Sequence, residues 1–436
     1  MPYGKVSRKK RRANCANSSS EARGDFEYFW TDETQAAPMS EVKAQYETYP
    51  YPARNPEDER KRLITGSPSH VLEIDHFLFQ GQRDWRKPLR ALIAGGGTGD
   101  GLIQLAQQMK DAGRETEITY LDLSTASRAI AQERARLRDL TEIRFVTGSL
   151  LDAATLGQFD YIDCCGVLHH LPDPAAGFAA LLAALAPGGG MGFMVYAPYG
   201  RAGVYPLQEA FGALYAGLPP EARLRAAKTV VANLPEGHPF TSNPNLGDHK
   251  DSDAGFYDLL LHSQDRAFDV TSLSETLTQT GWTLTGFSLP ALYDLSRITT
   301  APDHLNQTER MAVAEKLRGT IKTHVGYACR ASEARAPAHG RNRGLIPHLK
   351  GLCASDLARA VAAGQKPTLR FNGLEVRLSL PKQAVPLLAA IDGRRNLTEI
   401  AQATGTDPIA FGSLWAGIER DLADHGLLLY SSILRT

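Results

Sequence analysis

A chain of 436 residues has room for one to three domains and a sizeable core. Its 48 Lys and Arg offset 48 Asp and Glu, so no global field draws it to nucleic acid or acidic membranes. The 43% hydrophobic and 22% charged residues fit a globular protein, and five cysteines without a CxxC pair disfavour a disulfide frame or a zinc site.

Residues 1–38 lack hydrophobic periodicity and carry the basic run SRKKRR (7–12). No aromatic residue interleaves with that run, which favours a solvated, disordered tail over an RNA-binding arm. No secretory signal is visible, and the most apolar segment, 175–186, is too short to cross a bilayer. The expectation is a soluble, cytoplasmic protein. A lead segment follows at 39–88. Within it QYETYPYP (45–52) reads as rigid and extended, either sealing a cleft or packing on a sheet.

From 89 onward, apolar runs of strand length at 89–94, 117–121, 143–147, 159–165 and 190–197 alternate with helix-like runs at 100–111, 124–138 and 174–186. This pattern predicts an α/β fold with a doubly wound, mostly parallel sheet. Asp100 and Ser124 are candidate caps for the first two helices. Asp173–Pro174 opens the third. Residues 200–265 break the alternation and are expected to form a helical cap over the site. At 271–289 a helix–strand unit resumes, with Ser272 and Glu275 spaced as a capping box. The sheet domain is therefore placed at 89–300 and a helix with a linker at 301–345. A small α+β C-terminal module follows at 346–436, with a hairpin signal around Asn-Gly at 368–378 and a winged-helix-like order of elements. Acidic and basic residues balance over 368–436, which disfavours nucleic acid and favours a module that contacts protein or presents substrate.

The loop ALIAGGGTGDGLIQLA (91–106) asks for a ligand. A phosphate loop would need Lys and Ser/Thr after its last glycine, where Asp100–Gly101 stands. The dinucleotide pattern G-x-G-x-x-G fails at Asp100 or at Leu102, depending on the starting glycine. What remains is Gly95, Gly97 and Gly99, with Asp100 placed to repel a phosphate at the helix start. Asp122 ends the second strand, where a carboxylate can accept both hydrogen bonds of a ribose diol. A nucleoside without phosphate at the loop points to S-adenosylmethionine.

ALIAGGGTGDG, YLDLS, FDYIDCCGVLHHLPDP and LAPGGGMGFMVY resemble, in order and spacing, successive motifs of class I S-adenosylmethionine-dependent methyltransferases. QYETYPYP and DLLLHSQDRAF (258–268) resemble a bacterial subgroup in which that domain is joined to a regulatory domain. The resemblance implies a seven-stranded Rossmann-like sheet and S-adenosyl-L-methionine as cofactor. It implies that Gly95, Gly97 and Gly99 admit the methionine part, Asp122 holds the ribose, Ser149 and Leu150 meet adenine, and Gly166 lies by the methionine amino end. Two positions depart from the family pattern. Ile93 stands where an acidic residue is common, and Ser149 where Asp is usual.

Methyl transfer needs alignment, exclusion of water, and a base only for an acceptor that keeps its proton. His169 and His170, after the fourth strand, are the candidate bases, and either could instead position the loop. Tyr196 is a further catalytic candidate, and Tyr199 could line the acceptor site. His262, Asp265 and Arg266 could face a substrate from the cap, with a salt-bridged hinge as the rival reading. No metal-ligand pattern is evident. The function expected is transfer of a methyl group to a small molecule or a peptide. A non-catalytic cofactor-binding regulator is the alternative, and an NAD-dependent oxidoreductase ranks third.

Overall fold

The computed structural model describes residues 36–371 and 374–435, so the basic run at 7–12 and the Asn-Gly turn lie outside the described residues. Helices α1 (Ala36–Thr48) and α2 (Val71–Leu78) precede the sheet. Next come β1 (Leu89–Ala94), α3 (Asp100–Asp111), β2 (Thr116–Asp122), α4 (Thr125–Leu137), β3 (Ile143–Thr147), β4 (Phe159–Cys165), α5 (Pro174–Ala183) and β5 (Leu185–Tyr196). The cap holds α6 (Val204–Leu214), α7 (Pro220–Ala232), the single turn α8 (Asp248–Asp251) and α9 (Asp253–Leu260). Then α10 (Val270–Gln279), β6 (Trp282–Phe287), α11 (Gln307–Arg318) and β7 (Thr323–Arg330) complete the sheet.

The sheet has seven strands in the order β3-β2-β1-β4-β5-β7-β6. Six strands point the same way, and β7, antiparallel to both of its neighbours β5 and β6, is the one reversed strand. Its two faces bury separate cores. One lies under α5 and α10, with Phe178, Phe193 and Trp282; the other lies under α2 and α3, with Phe77, Ile103 and Tyr327. A third apolar cluster holds the cap together around Phe211, Phe256 and Leu260.

Strand β7 falls in the segment the sequence reading gave to a helix and linker, so the sheet extends past residue 300. Its sequence THVGYACR does not alternate cleanly because both faces are covered. Two caps also shift. Gly99, at φ +100°, is the N-cap of α3, and Asp100 is the first helical residue. The capping box of α10 is formed by Asp269 with Ser272, one turn before the expected pair.

The C-terminal unit comprises β8 (Pro347–Leu349), α12 (Ala354–Ala362), the hairpin β9 (Thr368–Phe371) and β10 (Leu374–Arg377), α13 (Val385–Ala389), α14 (Leu397–Ala403), α15 (Pro408–Leu422) and β11 (Leu428–Tyr430). The last strand pairs with β8 rather than with the hairpin. It lands on α2, placing Leu429 and Ile433 in the core beneath the sheet.

Candidate active site

The carboxyl ends of β1, β2, β3 and β4 open into one cavity of about 420 Å³, within the range of roughly 300–1,000 Å³ found for small-molecule sites. The glycine loop forms its floor. Gly95 and Gly97 adopt φ of +72° and +51°, a region that side chains avoid. A Cβ on Gly95 would stand 2.4 Å from Val167, and one on Gly97 2.8 Å from the Tyr51 carbonyl. Gly99 shapes the turn from beneath, against Ala131.

Asp122 organises this loop from the end of β2. Its two oxygens accept from the Gly97 amide at 2.7 Å and the Ser124 amide at 2.8 Å. A carboxylate offers about four lone-pair sites, so capacity remains for a diol. Burial raises its pKa, opposed by those amides. Asp100, expected to repel anions, is instead clamped by Arg54 at 2.6 Å and Arg134 at 2.8 Å. Burial works to raise the Asp100 carboxyl, but the two arginines outweigh it and hold it below the usual range. Ser149 and Leu150 border the cavity at the end of β3, and Gly166 borders it after β4. The Ser149 hydroxyl accepts from the Leu151 amide, capping a short helical turn.

Residues 46–54 run over the glycine loop. The Thr98 hydroxyl donates to the Pro52 carbonyl at 2.7 Å, the Ser124 hydroxyl to the Tyr46 carbonyl at 3.1 Å, and Glu47 accepts from the first amides of α4. Tyr46, Tyr51, Pro52 and Arg54 line the cavity. The tyrosine- and proline-rich stretch therefore borders the cleft, but it is not extended throughout as expected, because its first half, Gln45–Thr48, is the last turn of α1.

On the cap side the residues form one network. The hydroxyls of Tyr196 and Tyr46 donate to the two oxygens of Asp258, at 2.8 and 3.0 Å. Burial raises the Asp258 pKa, with His170 and the two tyrosines opposing. Arg201 lies 3.6 Å from the Tyr196 ring centre and pairs with Asp265 at 2.9 Å. His170 lines the cavity, and its ring stacks on His262 at 3.7 Å. His170 Nδ1 lies 2.8 Å from the Gln264 carbonyl, which can only accept, so this nitrogen bears the proton. His262 Nδ1 accepts from the Gln264 amide, and its Nε2 faces Tyr46. Potential ligand atoms of His170, Asp258 and His262 converge within 4.8 Å, as do those of His169, His170 and Asp265.

His169 turns inward instead. It is buried against Tyr196 with centroids 3.9 Å apart, and neither ring nitrogen has a hydrogen-bond partner among the described residues. Burial lowers its pKa well below the usual value. Tyr199 is not among the residues lining the cavity. Of the polar trio, Asp265 serves Arg201, and the Arg266 guanidinium lies 6.0 Å from the Phe268 ring, while its amide donates to the His169 carbonyl. Of the three, Asp265 alone is in an ion pair among the described residues.

Asp258, Arg201 and Asp163 went unmarked in the sequence. Asp258 had a signal: a lone acid inside the apolar run FYDLLL. Asp163 lines the cavity from β4, and burial pushes its carboxyl up to about 6, with the Ser69 hydroxyl and the Cys165 amide opposing.

A family model described as a methyltransferase domain matches residues 92–191. An uncharacterised protein of Synechococcus sp. is 36% identical over 205 residues, 46% of this chain and 48% of that protein. A ubiquinone biosynthesis O-methyltransferase of Psychrobacter arcticus is 35% identical over 96 residues, 21% of this chain and 36% of that enzyme. The chain thus aligns with about half or less of these curated relatives. Among solved structures, PKMT2 from Rickettsia typhi superposes with a TM-score of 0.55 at 13% identity, covering 84% of this chain and 76% of that one. Among the described residues, no helix is long and apolar enough to cross a membrane.

Proposed function

The chain carries a methyltransferase domain of the class I S-adenosylmethionine-dependent family, and from that premise we propose that it transfers a methyl group to a small-molecule or peptide acceptor. S-adenosylmethionine is the cofactor; when bound, it supplies a methyl group made electrophilic by the adjacent sulfonium. One observation carries this reading. Gly95, Gly97, Asp122, Ser149, Leu150 and Gly166, from four strand ends, all border one cavity, and Cβ atoms on the two loop glycines would collide with their surroundings.

The roles follow from position. The loop glycines offer bare backbone to the methionine part, Asp122 grips the ribose, and Ser149 and Leu150 bracket the base. The acceptor enters from the cap side, facing Tyr196, Tyr46 and Asp258. Burial keeps the Tyr196 hydroxyl protonated; its single proton goes to Asp258, so toward the acceptor its oxygen is left to accept a hydrogen bond. His170 is the base for an acceptor that must lose a proton. With its proton on Nδ1, a neutral ring carries the lone pair on Nε2. His169 supports Tyr196 from behind. The balanced charge of residues 368–436 supports a protein-contacting or substrate-presenting role there.

Calorimetric titration of the full chain with S-adenosylmethionine, S-adenosylhomocysteine and NAD(H) tests the premise. Binding of the adenosyl ligands, weakened at least tenfold by Asp122→Ala, is expected. Binding of NAD(H) alone would reverse the assignment. Incubation with methyl-labelled cofactor and fractionated lysate then assigns the acceptor. Label in neither the small-molecule nor the protein fraction would favour a non-catalytic regulator.

A further inference from the structure

Several carboxylates border the cofactor end of the cavity, and they are not in the same electrostatic state. Asp100 is neutralised by Arg54 and Arg134. Asp122 spends an acceptor site on each oxygen holding the glycine loop. Asp258, on the cap side, is held by two tyrosine hydroxyls. Asp163 is different. It is 2% exposed and accepts from the Ser69 hydroxyl and the Cys165 amide, and among the described residues no cationic side chain pairs with it. A buried carboxylate without a cation is costly unless a ligand brings the missing charge.

Its place in the ladder says where that charge would sit. β1 and β4 are parallel neighbours, with Ile93 in register with Asp163. In-register neighbours point to the same face of a sheet, roughly 4.8 Å apart. Asp163 therefore presents its carboxylate beside Ile93, at the root of the glycine loop. A Cβ on Gly101, in the first turn of α3, would lie 2.7 Å from its Oδ2. The absent side chain at Gly101 leaves this oxygen room directly under the loop.

We infer that Asp163 is the counter-ion for the ammonium group of the cofactor's methionine part, filling from β4 the position that Ile93 leaves apolar on β1. The inference rests on the S-adenosylmethionine reading of this cavity and adds a residue to it. The ligand supplies the one formal positive charge that the cavity wall does not provide for Asp163. A nucleoside lacking the amino-acid part has no group to offer it.

Calorimetry on the full chain separates these contributions with two probes. S-adenosylhomocysteine carries the ammonium, and 5′-methylthioadenosine has the same nucleoside without it. Asp163→Asn, which keeps the size and a hydrogen-bond partner for Ser69, is expected to weaken S-adenosylhomocysteine at least tenfold. Methylthioadenosine should stay within twofold. Returning the charge across the ladder, in the double variant Ile93→Asp with Asp163→Leu, should recover at least threefold over Asp163→Leu alone. Equal losses for both probes, or no loss for either, would overturn the counter-ion role while leaving the cofactor assignment intact. A wild-type chain that binds neither probe would instead strike down the cofactor assignment, and the counter-ion with it.

Discussion

His169 and His170 are adjacent in sequence and opposite in circumstance. Only His170 reaches the cavity, so His170→Ala should cut turnover at least 100-fold while S-adenosylhomocysteine affinity stays within threefold. His169 buries two ring nitrogens without partners among the described residues, so an apolar ring of similar shape costs nothing in hydrogen bonds. His169→Phe should therefore leave the melting temperature unchanged or raised. Asp163 gives a pH signature. Its folded carboxyl titrates near 6 against a usual 3.8, so its contribution to folding is most favourable below about 4 and is lost as pH rises through about 6. Tyr161 and Tyr327 face it, and burial keeps both protonated across that window. Asp100, held ionised by its arginines, adds a constant field there. Asp163→Asn should raise stability at neutral pH by up to about 3 kcal/mol, following the shift of about two units. In the wild type, S-adenosylhomocysteine affinity should fall as pH drops through 6, and methylthioadenosine affinity should stay flat.

The elements that hold these residues were legible where local chemistry is strong. Strands β1, β3 and β4 and helix α3 match the sequence reading to the residue, because apolar runs end at glycine or at a helix start. Strand β7 was not legible. It pairs with β5 and β6, which are remote in sequence, and only that pairing separates it from the helix-like run before it. Asp100 misled for a similar reason. Its neutralising partners, Arg54 and Arg134, lie 46 and 34 residues away, beyond any local pattern. Arg134 joins the elements here. It is 1% exposed, meets Glu59 at 2.6 Å and Asp100 at 2.8 Å, and donates to the Thr98 carbonyl. Removing one partner of a buried ion pair leaves the other charge stranded, so Arg134→Met should cost roughly 3–5 kcal/mol in denaturant unfolding.

Across the whole molecule, α2 is the piece both halves share. Its Asp75 accepts from Trp85 and from Ser431 and Ser432 beyond β11, while Glu73 takes Lys350 at 2.6 Å and the Tyr327 hydroxyl at 2.8 Å. The C-terminal unit is thus built into the same cooperative body as the sheet. The full chain should melt in one calorimetric transition, and a chain ending at 345 should melt lower or aggregate, with the apolar flank of α2 uncovered. At the opposite end, the stretch from Tyr46 to Arg54 borders the cavity and is tied down through main-chain carbonyls. Whatever sits beneath it is latched in, and residence time becomes a property of this strap rather than of the ligand's own contacts. Thr98→Ala unties one knot, so spent cofactor should escape faster in stopped-flow displacement, and an enzyme limited by product departure would gain speed as it lost grip.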